Sequence, residues 1–403
     1  MLVVQKFGGT SVGDLDRIQN VASRVSASKK DGNDVVVVVS AMSGETNKLV
    51  GYAEHFSKNP SRAEMDMLLS SGERVTASLL SIALNEMGHK AVAMTGRKAG
   101  IITDDSHTKA RIEEINPEVM KLNLKEGNII VVAGFQGVNY AGDITTLGRG
   151  GSDLSAVAIA GAIGADLCEI YTDVSGIYTT DPRIEPKAKK LNEISYDEML
   201  ELASLGAKVL QNRSVEMAKK LNVNLVTRTS FSNEEGTLIT KEENIMEAPL
   251  VSGIALDRNQ ARISLIGVID KPGIASDIFS KLADAEVNID VIIQNKAQDG
   301  STNIDFTVPV AELSDAKAVV DNFVKSGDIT DDSYNENICK VSVVGVGMKS
   351  HAGVAAKAFS TMADNNININ MISTSEIKVS MVIDEKYAEL AVRGLHDAYE
   401  LDK

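Results

Sequence analysis

The sequence has very little cysteine: only Cys168 and Cys339 occur among 403 residues, and they lie far apart in the chain. Such a pair forms no metal-type cluster, and a reducing compartment is the simplest interpretation. Lys6 and Gly8 interrupt the apolar start too early for a signal peptide. No apolar run approaches the roughly 18 residues of a membrane span. We therefore expect a cytoplasmic protein with no membrane partner.

Positive charge is also scarce, because 41 Lys and Arg stand against 56 Asp and Glu, which gives a net charge of −15. Nucleic-acid-binding proteins usually show a basic balance or stripe, so we predict no nucleic-acid partner. The five histidines are scattered and indicate neither a zinc site nor a Ser-His-Asp order. What remains is an ordinary globular composition, 43% apolar and 24% charged, in a chain long enough for more than one domain.

Residues 1 to about 240 alternate between strand and helix patterns. Apolar, often β-branched runs typical of strands covered on both faces occur at 34–40, 90–96, 128–135, 166–173 and 222–229. Helical patterns lie between them at 14–30, 63–87, 152–164, 195–205 and 211–221. This order predicts an α/β domain with a mainly parallel sheet between helix layers. Ligands bind such sheets at the carboxyl ends of the strands.

An internal repeat occupies the last third of the chain, where 263–292 recurs as 341–372. Matching pairs in one register include Phe279 and Phe359, Asp284 and Asp364, and Asn288 and Asn368. Each copy reads strand, glycine-containing loop, helix, strand, and then a further strand and helix. We therefore predict two βαββαβ units, which suggests a catalytic domain followed by a paired regulatory region.

The first chemical motif is "LVVQKFGGTSVG", residues 2–13, in which Lys6 precedes Gly8 and Gly9 at the end of a predicted strand. Glycines let backbone N–H groups approach a phosphate, and lysine adds a positive charge. The order is neither a P-loop nor G-x-G-x-x-G. A tight strand-to-helix turn with a surface lysine explains the stretch equally well.

The second motif, "TTLGRGGSDLSA" at 145–156, places three glycines around Arg149 immediately before an alanine-rich helix. Ser152 and Asp153 are good helix N-cap residues, so a capped helix after a flexible loop is one explanation. The glycine density around an arginine favours the other explanation, an anionic ligand seated on the helix N-terminus.

Four further stretches have functional and ordinary explanations that the residues alone do not separate. "YTDVSGIYTTDPR" (171–183) offers Asp173, Tyr178 and Arg183, but turn chemistry explains much of its composition. Glu73 in "SSGERVTASLL" (70–80) either begins a helix or binds a substrate amine. The remaining candidates are the hydroxyls Ser40 and Thr46 in 40–49, where a plain turn suffices, and Lys208 in 206–210, which could simply be solvated.

Two glycine loops with Lys6, Arg149 and Asp153 fit phosphoryl transfer best, since that reaction needs positive charge around the transferring oxygens. Together "KFGGTSVG", "TTLGRGGSD", "YTDVSGIYTTDPR" and "MLLSSGER" resemble the aspartate kinases, which have the amino-acid kinase fold. The repeat resembles the tandem ferredoxin-like ACT domains of that family. The resemblance covers the whole chain, and no dinucleotide-binding segment follows the repeat, as in the monofunctional members.

The resemblance implies that MgATP phosphorylates the side-chain carboxylate of L-aspartate to 4-phospho-L-aspartate, the first step towards lysine, threonine and methionine. Lys6 would neutralise the transferring phosphoryl group and Asp153 would position Lys6. Arg149 would bind the substrate α-carboxylate and Glu73 its amine, with help from Ser40, Thr46 and Ser152. Implied nucleotide-binding residues are Lys6, Gly8, Gly9, Thr172, Asp173, Tyr178, Arg183 and Lys208. Mg²⁺ would be held mainly by the nucleotide phosphates, so no protein metal site is expected.

The resemblance also implies a domain plan and a regulatory site. A catalytic domain would span 1–245, one ACT domain 263–335, and the other 250–262 together with 336–403. Implied effector-binding residues are Asp270, Gly273, Ile274, Ala275, Gln294, Asn295, Asn370, Ile372, Thr374 and Ser375. Whether lysine, threonine or both act there is left open. ACT pairing implies a homo-oligomer, and a start near Met246 could yield a separate regulatory subunit.

Two departures from the family pattern stand out: Ala352 where many relatives have proline, and Gln211-Asn212 where many have His-Pro. Three other interpretations compete with an aspartate kinase. They are another amino-acid or carbamate-type kinase, an amino-acid sensor without catalysis, and a scaffold. The "KFGGTSVG" form and the double repeat argue against another kind of kinase. The presence of Lys6 and Asp153 argues against a sensor without catalysis. A scaffold would leave the glycine loops unexplained.

Overall fold

The computed structural model describes residues 1–204, 209–245, 249–296, 300–351 and 353–403, so Lys208, Met246 and Ala352 lie outside the described residues. The chain forms two compact units. The amino-terminal unit contains Met1–Tyr178, Lys190–Ala203 and residues 209–245. The carboxy-terminal unit contains Thr179–Lys189, Ser204 and the described residues from Pro249 onward.

An eight-stranded sheet forms the centre of the amino-terminal unit, in the order β10-β12-β11-β9-β1-β2-β6-β3. Its strands are β1 Leu2–Phe7, β2 Asp34–Val39, β3 Ala91–Met94, β6 Ile129–Ala133, β9 Leu167–Thr172, β10 Glu193–Ser195, β11 Leu225–Thr229 and β12 Thr237–Thr240. Every pairing in it is parallel except that of β11 with β12. This confirms the predicted α/β fold.

Helices cover both faces of this sheet, because its central strands are apolar on both sides: Val35–Val39 in β2 are fully buried. The helices are α1 Leu15–Lys30, α2 Glu45–Phe56, α3 Arg62–Leu69, α4 Ser71–Glu86, α5 Glu118–Lys125, α6 Gly151–Ile163, α7 Tyr196–Ser204 and α8 Asn212–Leu221. α6 is rich in alanine and almost wholly buried, so small side chains let it lie close to β1, β2 and β9.

The prediction of one helix over 63–87 is wrong, since α3 and α4 are separate helices that meet at Ser70. The Ser70 carbonyl oxygen accepts hydrogen bonds from Gln136 Nε2 (2.9 Å) and Arg74 Nε (3.3 Å). Gly72 then packs so closely on Ala41 that an added Cβ would lie 2.8 Å from the alanine methyl. These are tertiary contacts, and helical periodicity does not report them.

The patterns also missed a second, four-stranded sheet in the order β5-β4-β7-β8. Its strands are β4 Ile101–Thr103, β5 Ile112–Ile115, β7 Gln136–Val138 and β8 Ile144–Thr146. Strands of three or four residues are too short to show an alternation of apolar and polar side chains. Its strands β7 and β8 carry the chain from β6 to the glycine-rich loop before α6.

The carboxy-terminal unit is built on one six-stranded sheet, in the order β14-β15-β13-β16-β18-β17. Its strands are β13 Gly253–Val268, β14 Ile292–Lys296, β15 Thr302–Val308, β16 Asp331–Val344, β17 Ile369–Thr374 and β18 Lys378–Asp384. Its helices are α9 Ile274–Asp284, α10 Leu313–Ser326, α11 Val354–Asp364 and α12 Ala388–Ala398.

The two copies of the repeat lie side by side because β13 and β16 are long enough to serve both. One half of this pair joins residues 262–266 to 331–335, and the other joins 253–257 to 340–344. Each half has its own apolar core, centred on Phe306 in the first copy and on Met381 in the second. The edge strands β14 and β17 therefore lie at opposite ends of the sheet.

A buried polar network joins β1, β9 and β11 beneath the carboxyl edge of the large sheet. Glu169 Oε1 accepts a hydrogen bond from Arg228 Nη1 (2.7 Å), and Oε2 accepts one from Gln5 Nε2 (2.8 Å) and one from Tyr171 OH (3.2 Å). Tyr171 also stacks on Phe7, with ring centroids 4.6 Å apart. A charge buried this deeply is tolerable only while its partners remain.

We expect Glu169→Ala to lower the free energy of unfolding by about 3 kcal/mol or more, because Arg228 would lose its buried partner. Asp197→Ala is the matched control, since it breaks an exposed ion pair with Lys219 (2.6 Å) and should cost less than about 1 kcal/mol. Urea unfolding followed by circular dichroism measures both, and equal costs would contradict this account of the network.

Candidate active site

A cleft of about 250 Å³ opens at the carboxyl ends of β1, β2 and β6. Most of its wall comes from the turn after β1, the 40–46 segment after β2, and the glycine-rich loop before α6. The lining residues are Lys6, Gly9, Ser40, Ala41, Met42, Ser43, Gly44, Thr46, Glu73, Phe135, Gly148, Arg149, Gly150, Gly151, Ser152 and Asp153. All the side chains with an implied catalytic or substrate-binding role are among them.

An ion pair lies at the base of this cleft, where Lys6 Nζ is 2.5 Å from Asp153 Oδ1. Lys6 is 8% exposed and Asp153 is 9% exposed. The lysine is the last residue but one of β1, and the aspartate lies in the first turn of α6, where the helix dipole favours a carboxylate. The pair therefore places a fixed positive charge beside a helix N-terminus, which suits an anionic ligand.

Two glycines let the backbone approach closely around this pair. An added Cβ on Gly9 would lie 3.0 Å from the Ala41 carbonyl oxygen, so the turn after β1 and the segment after β2 are in contact. Gly150 has φ +71° at the start of α6, and a Cβ there would overlap the side chain of Gln211. One departure from the family pattern, Gln211, thus packs against the glycine-rich loop.

Glu73, in the first turn of α4, is a buried carboxylate with an unsatisfied oxygen. It is 4% exposed, and its Oε1 accepts a hydrogen bond from the Ala41 N–H (3.1 Å). Its Oε2 has no hydrogen-bond partner in the described structure. Burial raises the pKa of Glu73 to about 7. A cationic ligand in the cleft would satisfy this oxygen and favour the charged form.

Arg149 supplies the complementary charge at the opposite wall. Its side chain is exposed, and within the described parts of the chain its guanidinium makes no hydrogen bond or ion pair. A free, planar guanidinium is well suited to a carboxylate. Ser40, Thr46 and Ser152 add hydroxyl groups to the same cleft, so opposite charges and short polar groups line it together.

The sequence analysis missed the support of the glycine-rich loop, which centres on Asp66 in α3. This fully buried carboxylate accepts hydrogen bonds from Thr146 Oγ1 (2.5 Å) and the Thr108 N–H (3.1 Å), and lies 2.7 Å from His107 Nδ1. It thereby ties helix α3 to β8, three residues before Arg149. No local motif marks Asp66, because its partners are 41 to 80 residues away.

Phe135, which lines the cleft, was also missed by the sequence analysis. It follows β6 with φ +69°, a left-handed conformation that costs energy for a large side chain. Its N–H donates to Ser155 Oγ (3.1 Å), and its carbonyl oxygen accepts from the Leu147 N–H (2.9 Å). These bonds hold the turn between β6 and the glycine-rich loop.

Of the implied nucleotide-binding residues that the structure describes, Lys6 and Gly9 line this cleft and the others do not. Gly8 lies next to it, and its N–H donates to the Tyr171 carbonyl oxygen (3.2 Å), which links the turn after β1 to β9. Thr172 Oγ1 donates to Asp173 Oδ1 (3.0 Å) at the carboxyl end of β9. Tyr178 forms an antiparallel bridge with Lys190. Arg183 belongs to the carboxy-terminal unit and pairs with Asp181 (2.6 Å).

The implied effector residues form two separate groups on the sheet of the carboxy-terminal unit. Those of the first copy lie on β14 and at the start of α9, where Lys296 Nζ is 2.8 Å from Asp270 Oδ2; they are Asp270, Gly273, Ile274, Ala275, Gln294 and Asn295. Those of the second copy lie on or just after β17; they are Asn370, Ile372, Thr374 and Ser375. A single chain does not bring the two groups together, because β14 and β17 are opposite edges.

No group of three or more His, Cys, Asp or Glu side chains in the described residues is arranged to hold a metal ion. No described helix is long and apolar enough to cross a membrane.

Known protein families match the amino-terminal and the carboxy-terminal parts of the chain separately. The amino acid kinase family matches residues 1–227, and ACT domain families match residues 262–326 and 341–399. The chain is 57% identical to the aspartokinase of Helicobacter pylori strain J99, over 100% of both chains.

Two solved structures of E. coli aspartokinase III are also similar, each at 26% identity. The complex with aspartate and ADP (R-state) has a TM-score of 0.82 and covers 99% of both chains. The complex with lysine and aspartate (T-state) has a TM-score of 0.78 and covers 98% of this chain and 99% of that one. With its amino-acid kinase domain, its two ACT domains and its full-length similarity to aspartokinases, the chain belongs to the aspartate kinase family and is an aspartate kinase.

Proposed function

We propose that this enzyme transfers the γ-phosphoryl group of MgATP to the side-chain carboxylate of L-aspartate, giving 4-phospho-L-aspartate for lysine, threonine and methionine synthesis. The observation that carries the proposal is the cleft that combines the Lys6–Asp153 ion pair with Glu73 and Arg149 on its walls. The aspartate and ADP bound to E. coli aspartokinase III support the same pair of ligands here.

The reaction requires little acid–base catalysis from the protein. The side-chain carboxyl of aspartate, with a pKa near 3.9, is already ionised at neutral pH, so no base has to activate it. Its oxygen attacks the γ-phosphorus while the bond to the ADP oxygen breaks. The difficulty is that two anions must meet, and the charge of Lys6 offsets their repulsion. Asp153 holds Lys6 in place and is not itself consumed.

The charges of the cleft give the substrate a single orientation. Glu73 would receive the α-ammonium group, because its Oε2 is buried and unpartnered. Arg149 would bind the α-carboxylate with its free guanidinium. The side-chain carboxylate then points to Lys6, with Ser40, Thr46 and Ser152 as hydrogen-bonding groups around it. A substrate that lacks either α-group would leave one of these charges unpaired.

The nucleotide would lie along the turn after β1 and the carboxyl end of β9, with Gly8, Gly9, Thr172, Asp173 and Tyr178 as its contacts. Gly8 joins the two strands through its hydrogen bond to Tyr171. We also assign Arg183 and Lys208 to the nucleotide, by their motifs. The described residues hold no carboxylate cluster for a cation, and we propose that Mg²⁺ arrives on the phosphates of ATP and shields their charge.

The paired ACT domains would bind lysine, threonine or both as feedback inhibitors. The lysine bound to E. coli aspartokinase III in its T-state supports this class of ligand. Gln294 and Asn295 lie on edge strand β14, and Asn370, Ile372 and Thr374 lie on edge strand β17. An edge strand can pair with another chain. We therefore propose a homo-oligomer in which pairing of ACT domains completes each effector site, and a separate regulatory subunit could pair in the same way.

We further propose that the enzyme works in the cytoplasm. Cys168 and Cys339 are both buried and unbridged, as expected in a reducing compartment.

The direct test of the activity is to incubate the protein with MgATP and L-aspartate and to trap the acyl phosphate with hydroxylamine. We expect aspartate-dependent hydroxamate, and a loss of kcat on the order of 100-fold or more in Lys6→Ala, because the base of the cleft would lose the side-chain cation that offsets the repulsion between the two anions. Lys29→Ala, which removes a surface lysine paired with Asp34, is the matched control. Turnover of Lys6→Ala within tenfold of the parent enzyme would contradict the role of Lys6.

Glu73 should show its function in the pH profile, because the substrate ammonium needs a charged carboxylate. With a pKa of about 7 for Glu73, we expect kcat/KM for aspartate to fall as the pH drops below about 7. In Glu73→Gln this pH-dependent loss should be absent, and KM for aspartate at pH 8 should rise at least about tenfold. A low-pH limb that is identical in Glu73→Gln and the parent enzyme would show that another group titrates.

The buried Glu73 carboxylate should also lower the free energy of unfolding, and this effect can be measured separately from activity. The folded-state pKa of Glu73 is raised above its ordinary value of 4.5, so stability falls as pH rises from 4.5 to 7. At pH 8 the full cost, on the order of 3 kcal/mol, is present. We therefore expect Glu73→Gln to unfold at higher urea concentration than the parent enzyme at pH 8, with a gain that shrinks towards pH 4.5. A variant less stable at pH 8 would refute this.

The effector site can be tested on β14. Gln294→Ala should raise the concentration of lysine or threonine needed for half-inhibition, added singly and together, while the uninhibited rate stays within about twofold. Asn322→Ala on α10 is the control, because it removes an exposed amide of the same domain away from the edge strand. An unchanged inhibition curve in Gln294→Ala would place the effector elsewhere.

A further inference from the structure

Between Tyr178 and Lys190 the chain makes an excursion, residues Thr179–Lys189, that belongs to the carboxy-terminal unit although both flanking residues belong to the amino-terminal unit. The neck of this excursion is an antiparallel bridge between Tyr178 and Lys190, followed by a hydrogen bond from the Leu191 N–H to the Ile177 carbonyl oxygen (2.8 Å). The implied nucleotide residues Thr172, Asp173 and Tyr178 lie directly before it in the chain.

Thr179 is the first residue of the excursion, and four hydrogen bonds hold it. Its N–H donates to the Lys189 carbonyl oxygen (2.8 Å), and its Oγ1 accepts from the Lys189 N–H (3.0 Å), which closes the base of the excursion. Its carbonyl oxygen accepts from the Ile254 N–H of β13 (2.7 Å). Its Oγ1 also shares a hydrogen bond of 3.0 Å with His396 Nε2 of α12. A strand and a helix of the second ACT domain therefore fix one residue.

In the described structure, the bond to Thr179 is the hydrogen bond that the His396 ring makes. The His396 side chain is 0% exposed, and in the described structure its Nδ1 has no hydrogen-bond partner. Burial lowers the pKa of His396, which keeps the ring neutral near pH 7. An imidazole buried with one hydrogen bond out of two is costly, and an apolar side chain would fill the same space more favourably. The bond to Thr179 is the evident use of this polar group.

The rest of the excursion also lies on α12 and the chain that follows it. Ile184 packs against the core of the second ACT domain, and its carbonyl oxygen accepts from Arg393 Nη1 (3.4 Å). Lys187 Nζ is 3.4 Å from Asp397 Oδ1. This ion pair is exposed and contributes little. Apolar packing and the buried Thr179–His396 bond therefore provide most of the attachment.

We propose that His396 and Thr179 are positioning residues for the nucleotide side of the active site. The proposal rests on the nucleotide role given above to Thr172, Asp173 and Tyr178. Tyr178 is bonded directly to Thr179, and the bridge to Lys190 makes the neck stiff. Fixing Thr179 therefore fixes the end of the nucleotide-side segment. The last helix of the second ACT domain then takes part in nucleotide binding through the chain itself, without touching the nucleotide.

The test compares two threonine-to-valine changes in the same unit. Thr179→Val removes the hydroxyl that joins the excursion to His396. Thr361→Val is the matched control, because its hydroxyl donates only within its own helix, to the Lys357 carbonyl oxygen (2.8 Å). We expect Thr179→Val to raise KM for MgATP by about threefold to tenfold, with KM for aspartate within about twofold, and Thr361→Val to change neither.

His396→Phe keeps the ring volume and removes the hydrogen bond to Thr179, so it should also raise KM for MgATP, although it keeps the bond from the Lys189 N–H that Thr179→Val removes as well. The double variant should add nothing to Thr179→Val alone, because that change already removes the bond to His396. His396→Gln, which can place an amide near the Nε2 position, should restore part of the affinity. If His396→Phe does not fold, Thr179→Val and His396→Gln still decide the outcome.

Calorimetric titration with MgADP separates this proposal from the proposed function, because it needs no turnover. We expect MgADP binding to weaken by the same threefold to tenfold in Thr179→Val, even if aspartate proves not to be the acceptor. Equal MgADP affinity in Thr179→Val, Thr361→Val and the parent protein would overturn the positioning role. A loss that affects KM for aspartate as strongly as KM for MgATP would also overturn it.

Discussion

The active site depends on one buried ion pair, Lys6 with Asp153, and much of the amino-terminal unit serves to hold it. Two charges taken out of water are costly unless their geometry is fixed. β1 fixes Lys6 through parallel pairing with β2 and β9 on both sides. The first turn of α6 fixes Asp153. Because α6 packs against β1, the two charges lie side by side at the carboxyl edge of the sheet, where anionic ligands can bind.

The cleft at this edge also contains groups that lower the stability of the fold but suit the binding of a substrate. Glu73 is buried with one carboxylate oxygen unsatisfied, and Phe135 adopts a left-handed backbone conformation in the same cleft. Both features lower stability in the free protein. They make sense if a ligand completes the site, since a substrate ammonium would satisfy Glu73. The deep network around Glu169 and the support from Asp66 provide the rigidity that such a site requires.

Six strands of the large sheet, β1, β2, β3, β6, β9 and β11, could be predicted from apolar runs such as that of β2, and the parallel order then placed Lys6 and Arg149 at one edge. The short strands β10 and β12 were not predicted, because three or four residues show no clear pattern. The division of 63–87 into two helices at Ser70 could not be predicted, because it depends on contacts from Gln136 and Ala41. The supporting role of Asp66 could not be predicted either, since its hydrogen-bond partners are distant in sequence. The promotion of Glu73 came from family resemblance, and the structure adds a physical reason for it. No pattern indicated that Thr179–Lys189 belongs to the other unit.

The measurement that tests the account most directly is a crystal structure of the enzyme with L-aspartate and MgADP. We expect the α-ammonium within about 3 Å of the Glu73 carboxylate and the α-carboxylate on Arg149. The side-chain carboxylate should lie nearest to Lys6, facing the ADP phosphates. Aspartate bound in the reverse orientation, with its side chain on Arg149, or bound outside this cleft, would contradict the assignment of the site.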